Sequence, residues 1–136
     1  MEIAEVALAI QTFGRRYLER VFTGGEILYC LSAGRDAPAH FAARFAAKEA
    51  VLKAIRVGDE AVDWRSIEVE HDVDGAPRVR LRGAARCLAA RRGMGDLALS
   101  VSHEGGYAAA FVVGKERLAR FLPRISRTTP RGAYGR

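Results

Sequence analysis

Residues 41–55, FAARFAAKEAVLKAI, constrain this chain more than any other stretch. Alanine and straight-chain residues dominate it and neither Gly nor Pro interrupts it, a composition that predicts a helix. At about 100° per residue, Phe41, Phe45 and Leu52 share one side and face a core. Glu49 and Lys53 stack on the far edge, and Arg44 and Lys48 make a neighbouring stripe. Spacing alone fits a solvated i,i+4 ion pair in the favourable orientation, worth about 0.2–0.5 kcal/mol. One carboxylate among three cations on a largely apolar helix also suits a metal and a polyphosphate.

The 136 residues suit one domain with a real core. A hydrophobic content of 49% excludes a disordered chain. No apolar run is long enough to span a membrane, and no secretory signal is visible, so the expected location is cytoplasmic. Cys30 and Cys87 lack metal-ligand or redox spacing, and buried, reduced thiols are expected. The net charge of +6 is entirely local. Residues 115–136 carry seven cations against the one anion Glu116, and residues 1–114 are neutral. That excludes a nucleic-acid-binding body while leaving a basic tail able to touch something acidic. Aromatic residues interleaved with Lys and Arg, the mark of a single-strand binder, are absent.

Residues 2–20 show helical spacing at Ile3, Val6, Ile10 and Phe13, with Gly14 either a break or a tolerated interruption. Thr23 and Glu26 have capping-box spacing at the head of a short helix to about Leu31, followed by a polar loop from Ser32 to Pro38. Gly58 marks the end of the long helix. Residues 64–70 alternate as a half-exposed strand, Asp72 to Gly75 is turn chemistry, and Val79 and Leu81 alternate on the return. A small helix from Gly83 stops at Gly93, and a second hairpin pairs residues around 97–102 with 107–113. Helices followed by antiparallel hairpins predict an α+β domain over residues 1–114, with helices packed on an antiparallel sheet. Lys115 to Leu122 suits a continuing helix, and the Ser/Thr/Pro/Gly/Arg-rich remainder reads as a flexible basic tail.

FAARFAAKEAVLKAI resembles the signature helix of holo-[acyl-carrier-protein] synthases, a family of 4'-phosphopantetheinyl transferases with the pattern F-A-x-R-[FW]-A-x-K-E-A-x-x-K-A. RRYLERVFTGGEI, WRSIEVEHDVDGAPRVRLRG and LALSVSHEGGYAAAFVV follow the family order, so the likeness covers about residues 2–113. It implies transfer of phosphopantetheine from coenzyme A to a serine of an apo acyl carrier protein, for fatty-acid or polyketide synthesis. Attack falls on the β-phosphorus and releases adenosine 3',5'-bisphosphate. It also implies Mg²⁺ and a homotrimer with coenzyme A in clefts between subunits.

Carried over residue by residue, Glu49 matches the metal-binding glutamate of K-E-A, and Lys53 matches the lysine near the diphosphate. Lys53 would stabilise charge or relay the serine proton. Arg44 and Lys48 would sit beside the coenzyme, and His103 matches the histidine of S-x-[ST]-H that lines its pocket. Ser102 has no acid partner at a sensible spacing, which excludes a hydrolase triad.

Two departures stand out. The family's opening strand G-[IV]-[GD]-x-D-[IL]-[VI]-E-I carries a second metal-binding Asp, whereas this sequence opens at Met1-Glu2-Ile3, where the family has V-E-I. The expectation is a start assigned too late, a GTG-encoded Val read as initiator; the alternative is a truncated, non-catalytic homologue that binds coenzyme A or a carrier protein. Glu5 stands where the family has an arginine that meets the acidic carrier, with Arg15, Arg16 and Arg20 left to supply positive charge.

Overall fold

The computed structural model describes residues 1–116. In chain order these form α1 (Ile3–Phe13), α2 (Arg15–Val21), α3 (Gly24–Leu31), α4 (Ala37–Ala54), β1 (Ile67–His71), β2 (Pro77–Leu81), α5 (Gly83–Arg91), β3 (Met94–Glu104) and β4 (Tyr107–Glu116). The α+β expectation holds. The strands pair as two antiparallel hairpins, β1 with β2 and β3 with β4, rather than as one continuous sheet.

Gly14 breaks the first helical stretch. It sits at φ 58 and ψ −135, a conformation a side chain would resist, and so separates α1 from α2. The Thr23–Glu26 capping box is present in both directions: Thr23 Oγ1 accepts from the Glu26 amide at 3.2 Å, and Glu26 Oε1 accepts from the Thr23 amide at 2.9 Å. The long helix starts earlier than its sequence suggests, because Pro38 belongs to its first turn, where a missing N–H costs nothing. Lys115 and Glu116 extend β4 instead of opening a helix; the rest of the basic tail lies outside the described residues.

The core divides along α4. Its first half carries Phe41, Ala42 and Ala43 against Val6, Leu18, Val21, Phe22, Cys30 and Ala108. Its second half carries Val51 and Ile55 against Ile67, Ala85, Leu88 and Ala89. Alternation on β1 buries Ile67 and Val69, opposite Leu81 and Val79 of β2, while Glu68 and Glu70 lean outward. Residues 1–3 lie against the start of β4: the Ala108 amide donates to the Met1 carbonyl at 2.8 Å, and the Ile3 amide to the Gly106 carbonyl at 2.9 Å. The other face of β4 leaves Tyr107, Phe111 and Val113 exposed. Of the two thiols expected to be buried, Cys30 is, and burial pushes it up to about 12; Cys87 is exposed on α5.

Candidate active site

α4 is enclosed on more of its circumference than one apolar stripe predicts. Ala42, Ala43 and Ala47 are so small that neighbouring elements approach the backbone closely, and the stripe of Arg44 and Lys48 is buried with them. Lys48 is 0% exposed. Its amine meets Glu26 Oε1 at 2.8 Å and donates to the Trp64 carbonyl at 3.1 Å and to the Ile67 carbonyl. The Glu26 carboxylate also accepts from the Thr23 amide and, at 2.7 Å, from the Val69 amide. Burial pushes the Lys48 amine below its ordinary range, and the Glu26 charge opposes that. Lys48 therefore joins α3, α4 and β1 from inside. The expectation that it lies beside the coenzyme gives way to this internal ion pair, because its amine has no outward face.

Arg44 is also enclosed, at 4% exposure. Its guanidinium lies 4.2 Å from the centre of the Tyr29 ring, and Nη2 is 3.4 Å from His71 Nδ1. His71 stacks on Tyr29 at 4.5 Å, and His40, one turn before Arg44 on α4, stands edge-on to His103 at 5.2 Å. Arg44 and His103, both expected beside the coenzyme, thus belong to one cluster on one flank of α4.

Glu49 lies about 140° further round α4 from Arg44. It is half-buried, and its charge acts on Tyr17 of α2: burial first, then Glu49, raises the Tyr17 hydroxyl above its ordinary value. Lys53 follows one turn later and is exposed. Among the described residues these two form no ion pair with each other, so the surface-pair reading of their spacing is not realised. Both remain available to a ligand. The expected site residues therefore occupy two flanks of one protomer, Glu49 with Lys53 on one and Arg44 with His103 on the other.

Below α3, Thr23 Oγ1 donates to Glu68 Oε2 at 2.7 Å and Arg82 bridges Glu68 Oε1 at 2.6 Å. Burial pushes Glu68 up, but these two hydrogen bonds outweigh it and hold the carboxyl below its usual range. Sequence reasoning read Glu26 only as a capping residue, and its place opposite Lys48 carried no local signal. His40, His71 and Tyr29 were missed altogether. Their one clue was scarcity, since the chain has three histidines in all.

The sequence profile of the 4'-phosphopantetheinyl transferase superfamily matches residues 1–112. The holo-[acyl-carrier-protein] synthase of Moorella thermoacetica is 44% identical over 112 residues, covering 81% of this chain and 87% of the relative. That of Herpetosiphon aurantiacus is 43% identical over 121 residues, covering 84% and 92%. Among solved structures, the Neisseria meningitidis synthase superposes with a TM-score of 0.76 at 31% identity, over 85% of this chain and 93% of that one. The Helicobacter pylori synthase, solved in complex with coenzyme A, gives 0.73 at 28% identity, over 85% and 95%. A profile spanning nearly all the described residues, with relatives above 40% identity and a shared fold, places the chain in the 4'-phosphopantetheinyl transferase superfamily, among the holo-[acyl-carrier-protein] synthases.

Proposed function

We propose that this chain transfers 4'-phosphopantetheine from coenzyme A to a serine hydroxyl of an apo acyl carrier protein. The observation that carries the reading is that Glu49 and Lys53, on the outward flank of the family's signature helix, form no ion pair among the described residues. The serine oxygen attacks the β-phosphorus, the bond to the bridging diphosphate oxygen breaks, and adenosine 3',5'-bisphosphate leaves. Such a reaction needs held phosphates, neutralised charge and an aligned nucleophile. Lys53 supplies a mobile cation to the diphosphate and a route for the serine proton.

The described residues contain no group of three His, Cys, Asp or Glu side chains that forms a ready metal cage. Magnesium commonly takes only one or two carboxylates and completes its shell with phosphate and water. Glu49 fits that role, holding a metal jointly with the substrate. A bound Mg²⁺ would neutralise charge on the diphosphate.

The division of Glu49 and Lys53 from Arg44 and His103 supports a homotrimer in which one subunit's first pair faces another's second across a cleft. The exposed Tyr107, Phe111 and Val113 on β4 offer an apolar surface for that contact. The groove lined by Phe13, Arg16, Tyr17 and Arg20 suits an acidic carrier helix, with Glu5 on the adjoining helix selecting against a uniformly acidic one. No described helix is long and apolar enough to cross a membrane, and a cytoplasmic setting, with fatty-acid or polyketide carriers, is the reading we adopt.

The test is the intact mass of apo acyl carrier protein after incubation with this chain, coenzyme A and Mg²⁺. A phosphopantetheine-sized gain that disappears with Glu49→Ala is expected. No gain with several carriers, while coenzyme A still binds, would replace this reading with the non-catalytic homologue.

A further inference from the structure

The three histidines of the chain come from α4, β1 and β3, far apart in sequence, yet they gather around Tyr29 and Arg44. His40 lies outside the motifs that carry the family likeness, and His71, inside one of them, has no role there. What they surround is unusual. Arg44 is almost fully enclosed, its Nε has no hydrogen-bond partner, and no carboxylate pairs with it among the described residues. An enclosed charge without a counter-ion is costly, and an anion arriving from outside would relieve that cost.

His40 and His71 are arranged to be neutral while no anion is present. A guanidinium only donates, so the Arg44 contact requires His71 Nδ1 to be unprotonated. Burial first, then Arg44 and His40, lowers His71 below its ordinary value, with Asp72 opposing. Burial first, then His103 and Arg44, lowers His40, with Asp36 opposing. Tyr29 packs its ring against both His40 and His71, and the buried thiol of its neighbour Cys30, pushed up to about 12 mainly by burial, stays protonated. Every cation added without an anion therefore meets other cations.

We propose that His40, His71, His103 and Arg44 form a proton-gated anion site, in which docking of a phosphate of the coenzyme draws protons onto His40 and His71. The ligand's identity rests on the transferase reading above; the gate rests on the cluster. By reciprocity, an anion that favours the protonated cluster is itself favoured by protonation. Coenzyme affinity should then rise as pH falls from about 8 toward 6, by up to about tenfold per unit for each proton taken up. The rise flattens once the free histidines protonate on their own.

The experiment is calorimetric titration of the full chain with coenzyme A near neutral pH, in two buffers of different protonation heat. A parallel titration uses inorganic phosphate. Uptake of about one proton per bound coenzyme is expected, falling toward zero in the double variant His40→Gln/His71→Gln. Imidazole NMR of the unaltered chain, followed against pH with and without coenzyme A, needs no variant; His40 and His71 should titrate at higher pH when coenzyme is bound. Coenzyme binding without proton uptake overturns the gate and leaves the transferase reading standing. No coenzyme binding at any pH overturns both. Uptake with inorganic phosphate but none with coenzyme A assigns the cluster to free phosphate and overturns the proposal.

Discussion

On the inner face of α4, Lys48 is sealed between Glu26 and two backbone carbonyls; on the outer face, five residues on, Lys53 reaches solvent without a partner among the described residues. Both belong to one motif and carry the same charge. The inner charge is compensated within the fold and joins three elements. The outer one is left for something that is not part of the fold. A lysine in a signature helix is thus assigned by what surrounds its amine, and spacing alone does not distinguish the two.

Removing one member of the inner pair gives the largest effect on stability. A buried ion stripped of its partner costs about 3–5 kcal/mol. Lys48→Met leaves the Glu26 carboxylate with two amide donors, whereas Glu26→Leu strands the Lys48 ammonium together with the Thr23 and Val69 amides. Glu26→Leu should therefore be the worse of the two in urea unfolding. The double variant Glu26→Leu/Lys48→Met should recover much of the loss, though not all, since those two amides stay unsatisfied. Single losses below about 1 kcal/mol would mean that the pair is not enclosed in solution, and the contrast with Lys53 would collapse.

The reverse pattern is expected at the outer face. Lys53→Ala touches nothing in the core, so unfolding should shift by no more than about 0.5 kcal/mol. Transfer, followed as kcat/KM for the carrier protein, should fall on the order of 10²-fold, the usual scale for losing one charge-stabilising donor. A Lys53→Ala chain that transfers at the normal rate would assign this lysine to a solvated surface. One that unfolds as readily as Lys48→Met would show that the two faces of α4 are not distinct.

The same contrast explains what could be read from the sequence. Helix formation around residues 41–55, the Thr23–Glu26 cap and the alternation at Ile67 and Val69 are local properties, and the fold preserves them. The misreading of Lys48 came from drawing α4 with a single apolar side. Alanines at 42, 43 and 47 let the chain close over both cations, and the compensating carboxylate lies on another helix. The spacing of Glu49 and Lys53 was legible, but i,i+4 spacing permits an ion pair without requiring one, and none forms between them. His40 and His71 had no pattern to betray them, because α4 and β1 bring them together only in three dimensions.

The smallest effect tests how the inner pair is held. Thr23 reaches Glu26 through its amide and hydroxyl, and the same hydroxyl donates to Glu68 Oε2 at 2.7 Å. Thr23→Val keeps the shape and the amide but removes both hydroxyl contacts, with an expected loss of about 1 kcal/mol, within the range for an N-cap. Thr23→Ser should retain most of that stability, because the loss lies in the oxygen rather than in the methyl group. The effect stays modest because the Glu26 carboxylate still holds the Val69 amide and Lys48, and Glu68 still holds Arg82. Should Thr23→Val instead cost as much as Lys48→Met in urea unfolding, the cap and the ion pair would be one cooperative unit. The inner face of α4 would then owe its closure to α3 as much as to its own lysine.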